Sequence, residues 1–235
     1  MADTLLTHES HDGVAIVRMD DGKANALGPA MIEALSDAFD QAAEAGEAVL
    51  LTGREGRFCA GFDLKVMGAG PEAAMDLVRA GAELFMQVYL HPRPVVIACS
   101  GHALAGGAVM LLCGDERIGA DGGFKIGLNE VRIGLPVPSF VSHLAEARLE
   151  RRARIPSTLF ARVHDPEAAC EAGFLDQVVP TAELMDAALG QARMLAELPA
   201  KPFASTKRDQ RTALAERVRA GLNDDLDRFV RDFGG

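Results

Sequence analysis

No apolar run in this sequence approaches the roughly eighteen residues that a membrane-spanning helix requires. The first residues, Met-Ala-Asp-Thr, carry an acid where a secretion signal carries basic charge, and no long apolar segment follows them. We therefore expect a cytoplasmic protein without a membrane partner.

Cysteine is scarce, and its spacing carries no metal or redox motif. None of the four cysteines forms a Cys-x-x-Cys pair or has a histidine at the spacing of a zinc site. Three lie within apolar segments, and Cys59 lies in a glycine-rich loop with no identifiable base beside it. The pattern argues against disulfides, a structural metal and a cysteine nucleophile, and it predicts buried, reduced thiols.

Basic charge is in deficit. There are 24 lysines and arginines against 34 acidic residues, which gives a net charge of −10, so nucleic acid is not expected as the main partner. Hydrophobic residues make up 49% and charged residues 25% of the chain, values typical of a globular protein and too apolar for disorder. A length of 235 residues suits one large domain or one domain with an appendage.

Apolar periodicity divides the chain into an α/β part and a helical part. The first half alternates strands and helices, which predicts crossover units and a mainly parallel sheet, whereas helical patterns dominate from Ser139 onward. We therefore predict an α/β core over residues 1–190 and a helical portion over residues 191–235. The predicted elements are a hairpin (Thr4–Ser10 and Val14–Met19), helices over Pro29–Ala45, Pro71–Tyr89 and Leu104–Cys113, strands over Ala48–Thr52, Val95–Cys99, Glu116–Gly119 and Gly123–Ile126, and a loop over Gly53–Gly70.

Two glycine-containing segments are candidates for binding negative charge. They are FCAGFDL at residues 58–64 and GHALAGG at residues 101–107. Backbone N–H groups at the start of a helix have no internal acceptor and attract anions, and two that converge form an oxyanion hole. The alternative for each segment is that its glycines only allow tight packing of helix on strand.

A third feature is the single carboxylate of Glu130, which stands in the apolar, glycine-bounded stretch IGLNEVRIG. A carboxylate in an apolar pocket has a raised pKa, as a general base requires. The alternative is a solvent-facing loop glutamate paired with Arg132.

These three segments occur in the order and spacing of the crotonase superfamily, the enoyl-CoA hydratase/isomerase family, which the sequence resembles over nearly its whole length. Weaker matches are KANAL at residues 23–27, AGFLDQVV at residues 172–179 and STK at residues 205–207, while residues 139–165 show little resemblance. The resemblance implies an α/β fold, with a crotonase-like ββα spiral core and a helical C-terminal trimerisation portion.

The resemblance also implies a coenzyme A thioester as substrate. It assigns the backbone N–H groups of Ala60 and Gly106 to the thioester oxygen. It assigns the substrate path and the CoA moiety to the segments around these donors, with Lys23, Ala24, Phe62, Asp63, Leu64 and Gly107 as the binding residues. Loss of a proton from C2 of a thioester gives an enolate, whose charge two fixed donors would stabilise.

The number of carboxylates separates the reactions of this family. Its hydratases carry two glutamates that activate water, and the position of the first is Val109 here, whereas the second is Glu130. One base beside an apolar wall suits the transfer of a proton from C2 to C4. The segment GLNE also resembles the Δ3,Δ2-enoyl-CoA isomerase branch, so we expect an isomerase with Glu130 as base and then acid.

Other readings remain open at this point. A hydratase could recruit His102 or Asp63 to orient water, and thioester hydrolysis, decarboxylation or dehalogenation would use the same oxyanion hole. A non-catalytic acyl-CoA-binding protein is the alternative from another class.

The resemblance further implies a homotrimer or a dimer of trimers, and neither a metal nor another cofactor is expected. Apolar residues of the C-terminal portion could supply the contact between copies, unless they are buried within the chain: Leu195, Phe203, Leu214, Val218, Leu222, Leu226, Phe229 and Val230.

Overall fold

The structure is a computed structural model that describes residues 5–233, with the backbone alone at residues 229, 230, 232 and 233. The strands are β1 (Leu6–His11), β2 (Val14–Met19), β3 (Ala48–Thr52), β4 (Gly56–Cys59), β5 (Val95–Cys99), β6 (Gly101–Leu104), β7 (Glu116–Ala120), β8 (Ile126–Gly127) and β9 (Gln177–Val179). The helices are α1 (Pro29–Ala45), α2 (Leu64–Met67), α3 (Pro71–Leu90), α4 (Gly106–Cys113), α5 (Ser139–Arg148), α6 (Arg154–Thr158), α7 (Pro166–Ala172), α8 (Leu184–Ala196) and α9 (Ala200–Phe233).

A six-stranded sheet in the order β1-β2-β3-β5-β7-β9 forms the centre of the fold. Every neighbouring pair is parallel except β1 and β2, so the predicted mainly parallel sheet is confirmed. Strands β3 and β5 are buried along their whole length because helices cover both faces. Leu51 and Ile97 pack toward α1 and α3, whereas Leu50 and Val96 pack toward α8.

Helix α1 and strands β3 and β5 have the predicted bounds. Pro29 stands in the first turn of α1, and Gly46 ends the helix in the left-handed conformation, with its N–H donating to the carbonyls of Ala42 and Ala43. The predicted first strand began at Thr4, which lies outside the described residues.

A second, three-stranded parallel sheet in the order β4-β6-β8 carries the glycine segments. Here the prediction was wrong in three places. The expected loop over Gly53–Gly70 contains β4 and α2, and the expected helix from Leu104 begins at Gly106 and is preceded by β6. The strand predicted over Gly123–Ile126 is observed as β8, at Ile126–Gly127. Glycine obscured β6, since a Cβ atom on Gly101 would lie 2.0 Å from the backbone of Gly56, and only glycine allows that approach.

Helix α9 packs against α3 and α5 of its own chain. Leu214, Val218, Leu222 and Leu226 are buried in that contact, and Leu195 and Phe203 are half-buried. Of the two alternatives that the sequence left open for these residues, burial within the chain therefore holds for the four buried ones. Phe229 and Val230 lie outside the residues whose side chains are described.

The predicted boundary between residues 190 and 191 falls inside α8, which packs on the large sheet. Within residues 5–233, every helix is too short or too polar to span a bilayer.

Candidate active site

The loop from β4 to α2 lies against the loop from β6 to α4, backbone to backbone. Gly61 has a φ of +90°, and a Cβ atom there would lie 2.9 Å from the nitrogen of Gly106. A Cβ atom on Gly107 would lie 2.1 Å from the carbonyl oxygen of Cys59. Glycine is thus required for this contact, which is the packing role that the sequence left open. The contact also brings the two candidate donor segments together, as expected.

Backbone hydrogen bonds decide which N–H groups of the first loop are free. The N–H of Ala60 donates to the carbonyl of Ala24 at 3.0 Å, so the prediction that Ala60 supplies an oxyanion donor is wrong. The N–H of Leu27 donates to Gly61, and the N–H of Asp63 donates to Leu27. These bonds flank Phe62.

In the described part of the chain, the N–H groups of Phe62 and Gly106 have no protein acceptor. Gly106 is the first residue of α4, where no intrahelical acceptor exists. A methyl group placed on Gly106 would lie 3.6 Å from the nitrogen of Phe62, so the two loops bring these free donors close together.

Glu130 lies just after β8, at the start of a 3₁₀ turn over Val131–Ile133, and is 8% exposed. Its Oε2 atom is buried without a hydrogen-bond partner among the described residues. Burial raises the pKa of the carboxyl group from 4.5 to about 7, against a smaller lowering by its own backbone N–H. The alternative of a solvent-facing glutamate paired with Arg132 is therefore wrong; Arg132 donates to the carbonyl of Ala161 instead.

A cavity of about 210 Å³ joins these groups. Phe62, Gly106 and Glu130 line it, and so does Val109, which is 1% exposed on α4. Leu64, one of the residues expected on the substrate path, lines the cavity and is 66% exposed. Most of the remaining wall is apolar. It comes from α2, the segment before α5, and helices α3, α5 and α9: Met67, Val78, Phe85, Leu135, Pro136, Val137, Pro138, Phe140, Val141 and Leu226.

The other residues expected near the substrate lie around this cavity without lining it. Lys23 is exposed, and its carbonyl accepts a hydrogen bond from Arg54. The carbonyl of Ala24 accepts a hydrogen bond from the N–H of Ala60. The Asp63 carboxylate caps α2 by accepting a hydrogen bond from the N–H of Lys65 at 2.8 Å. Gly107 packs closely against the backbone of Cys59, and this packing is the role that the structure shows for it.

His102 also lies away from the described lining of the cavity. Its Nδ1 atom accepts from the N–H of Lys125 at 2.9 Å, and its ring meets Phe124 edge-on. Because Asp63 and His102 both have other partners, neither is positioned by these contacts to orient water in the cavity.

The cysteines take no part in these groups. Cys59, Cys99 and Cys113 are buried and Cys170 is half-buried, all as free thiols. Burial raises the pKa of Cys59 to about 12, which opposes formation of a thiolate. Within the part of the chain that the structure describes, no three His, Cys, Asp or Glu side chains cluster as metal ligands would.

Sequence reasoning did not single out Asn25 and Asp225. The buried side-chain amide of Asn25 donates toward the carbonyls of Met19, Arg57 and Phe58 and so fixes the loop before α1 beside β4. Asp225 lines the cavity and accepts from the N–H and Oγ of Ser139 at 2.9 and 2.5 Å. Asparagine suits the positive φ of 52° at Asn25, but the hydrogen-bond partners of both residues are far away in sequence, so these roles could not be predicted.

Comparison with known proteins agrees with this fold. The model of the enoyl-CoA hydratase/isomerase family matches residues 9–233, so the chain belongs to that family of crotonase-fold enzymes. An enoyl-CoA hydratase/isomerase family protein from Pseudomonas syringae superimposes with a TM-score of 0.93 at 41% identity, over 95% of this chain and 97% of that one.

Similar structures include proteins named as hydratases and proteins named as isomerases. An enoyl-CoA hydratase from Mycobacterium ulcerans matches at 36% identity with a TM-score of 0.90, over 95% of this chain and 98% of that one. The human mitochondrial Δ3-Δ2-enoyl-CoA isomerase matches at 28% identity with a TM-score of 0.93, over 97% and 91% of the two chains. Both names occur among similar structures, so the reaction has to be argued from the site.

Proposed function

We propose that this family member is an enoyl-CoA isomerase, which moves a double bond from C3 to C2 of an acyl chain carried on coenzyme A. The observation that carries the proposal is the pairing of one buried, unpartnered carboxyl group, Glu130, with an apolar side chain, Val109, in the same cavity. A second acid that could help to activate water is thus missing from the α4 wall.

The first step is removal of a proton from C2 of a 3-enoyl-CoA by Glu130. A pKa of about 7 supports this role, because the carboxylate is well populated at neutral pH and its conjugate acid can return the proton. Return of that proton to C4 moves the double bond to C2–C3, and the carboxylate is regenerated. The proton and electron pair balance without an additional reactant.

Charge that develops on the thioester oxygen between these steps needs fixed donors. We assign this role to the N–H groups of Gly106, as expected, and of Phe62, which replaces Ala60. Their freedom from protein acceptors and their closeness support the assignment. Loss of one such donor typically lowers the rate by about a hundred- to a thousandfold.

The coenzyme A portion would leave the cavity past the exposed Leu64. Lys23, Ala24 and Asp63 shape the adjoining loops, so they are proposed to contact CoA or to position the loops that do. The substrate brings the CoA group, and the scheme uses no cofactor. A homotrimer or dimer of trimers stays a prediction.

Asp225 is the other carboxylate among the described lining residues, and a hydratase would need two. Its Oδ2 atom is already bonded to Ser139, however, and its Oδ1 atom lies 3.5 Å from Arg228. These contacts favour a structural role and support one catalytic acid.

The test is to supply purified protein with a 3-enoyl-CoA and a 2-enoyl-CoA in separate assays. Isomerisation makes the conjugated enoyl thioester absorbance appear from the first substrate, whereas hydration removes it from the second. Glu130→Gln should lower isomerisation about a hundred- to ten-thousandfold and retain acyl-CoA binding, with Glu83→Gln on the exposed face of α3 as matched control. Full turnover by Glu130→Gln, or hydration as the main reaction, would refute the proposal; tight CoA binding without turnover on any enoyl-CoA would favour the binding protein.

A further inference from the structure

The shape of the cavity carries information on the length of the acyl chain. Its wall comes from two kinds of element: segments that follow the strands of the small sheet supply the reacting groups Phe62, Gly106 and Glu130, whereas α9 supplies Leu226. This inference rests on the proposed function for its reacting end, but chain length can be measured separately from turnover.

A row of aromatic rings leads from the reacting groups to α5. The ring of Phe62, whose N–H is a proposed donor, is packed against α3, since a Cβ atom on Gly81 would lie 2.2 Å from it. The centroid of Phe62 is 6.1 Å from that of Phe85, which is 6.3 Å from that of Phe140. The row therefore runs from the donors to the start of α5.

Helix α9 forms the wall of the cavity at the start of α5. Ser139 is bonded there to Asp225, and the adjacent Leu226 is 1% exposed and lines the cavity. Arg228 lines the same region and pairs with Asp225. An acyl chain that extended past Leu226 would meet these charged groups and would remove water from the exposed guanidinium of Arg228, which is unfavourable.

The volume of the cavity indicates the length of the acyl chain that it accepts. An apolar cavity of about 150 Å³ accepts a benzene molecule with its six carbon atoms, so one of about 210 Å³ accepts about eight. We infer that the protein selects medium-chain acyl groups, of about six to ten carbon atoms, and that Leu226 sets the upper limit.

Binding of saturated acyl-CoAs of four to sixteen carbon atoms, measured by calorimetry, tests the limit without turnover. Affinity should rise about fourfold for each added methylene group until the cavity is full, and should then level off or fall. A continuous rise through sixteen carbon atoms would overturn the inference. This series with the unmodified protein decides the limit even if a variant fails to fold.

Leu226→Ala tests the role of α9, with Leu222→Ala as matched control. Leu222 is buried one turn earlier on α9 but lines a different cavity, beside Ala82 and Met86. Leu226→Ala should move the break in the series to longer chains, and should raise the ratio of kcat/KM for twelve-carbon over eight-carbon 3-enoyl-CoA. This ratio does not depend on the folded fraction of a preparation.

Equal ratios in the two variants would refute the role of Leu226. A break in the binding series without isomerisation at any length would refute the proposed function and leave the length limit standing. Isomerisation with the same kcat/KM for acyl chains of eight and sixteen carbon atoms would support the proposed function and refute the length limit.

Discussion

Replacement of Glu130 by glutamine should make the protein more stable while it removes the activity. Burial raises the pKa of this carboxyl group from 4.5 to about 7, so the native state binds the proton more tightly than the unfolded chain does. The carboxyl is protonated in both states below pH 4.5. As the pH rises from 4.5 to 7, the unfolded state loses the proton first, and the free energy of unfolding falls.

The size of the effect follows from the shift. A pKa raised from 4.5 to about 7 corresponds to about 3 kcal/mol of lost stability once the pH exceeds 7, with little screening because the side chain is 8% exposed. Glutamine does not ionise and avoids this loss. The variant should therefore be up to about 3 kcal/mol more stable than the original protein at pH 8, and nearly equal to it at pH 4.5.

Urea unfolding at pH 4.5 and pH 8 measures this difference, and comparison of the two proteins cancels the other titrating groups. Glu83→Gln is the control, because it makes the same change at an exposed glutamate on α3. Isomerase activity of Glu130→Gln should fall about a hundred- to ten-thousandfold. A variant that is less stable at pH 8, or shifted equally at both pH values, would refute the argument that Glu130 is buried and ionisable.

Three further outcomes are expected. The kcat/KM of isomerisation should rise about tenfold per pH unit below pH 7 and level off above it, because the base must be ionised; a midpoint below pH 5 in the pH–rate profile would contradict this. Gly106→Ala would place a methyl group 3.2 Å from Leu27 and 3.6 Å from the Phe62 nitrogen, so kcat/KM should fall by about a hundredfold in a protein whose circular dichroism is unchanged. Asp225→Ala should lower the free energy of unfolding by about 1.5–3 kcal/mol, because two hydrogen bonds to a carboxylate are lost; urea unfolding with no change would mean that they contribute nothing.

How far the sequence predicts this fold depends on the range of the interactions involved. Helix α1 was predictable because Pro29, Gly46 and the apolar spacing between them are local signals. Strand β6 was not, because its pairing depends on the fit of Gly101 against Gly56, on another strand.

In the site, too, local features could be predicted and long-range contacts could not. The position of Glu130 in an apolar stretch was visible, and so was the pair of glycine segments. The choice between Ala60 and Phe62 was not visible, since it depends on the carbonyl of Ala24, thirty-six residues earlier, which already accepts the N–H of Ala60. The wall from α3, α5 and α9 required knowledge of how those helices meet.

The reactivity of Glu130 and the stability of α9 are two effects of the same burial. Leu226 lines the cavity that contains Glu130, and its neighbours Leu214, Val218 and Leu222 are buried on the same helix. Complete burial of such a side chain stabilises the fold by about 1.5–3 kcal/mol, so this row can offset the unfavourable ionisation of one buried carboxylate. The start of the helix is fixed as well, because Lys207 and Arg211 both pair with Asp115 at 2.6 and 2.7 Å. Any change that detaches α9 would admit water, lower the pKa of Glu130 and weaken it as a base, although every catalytic group would still be present.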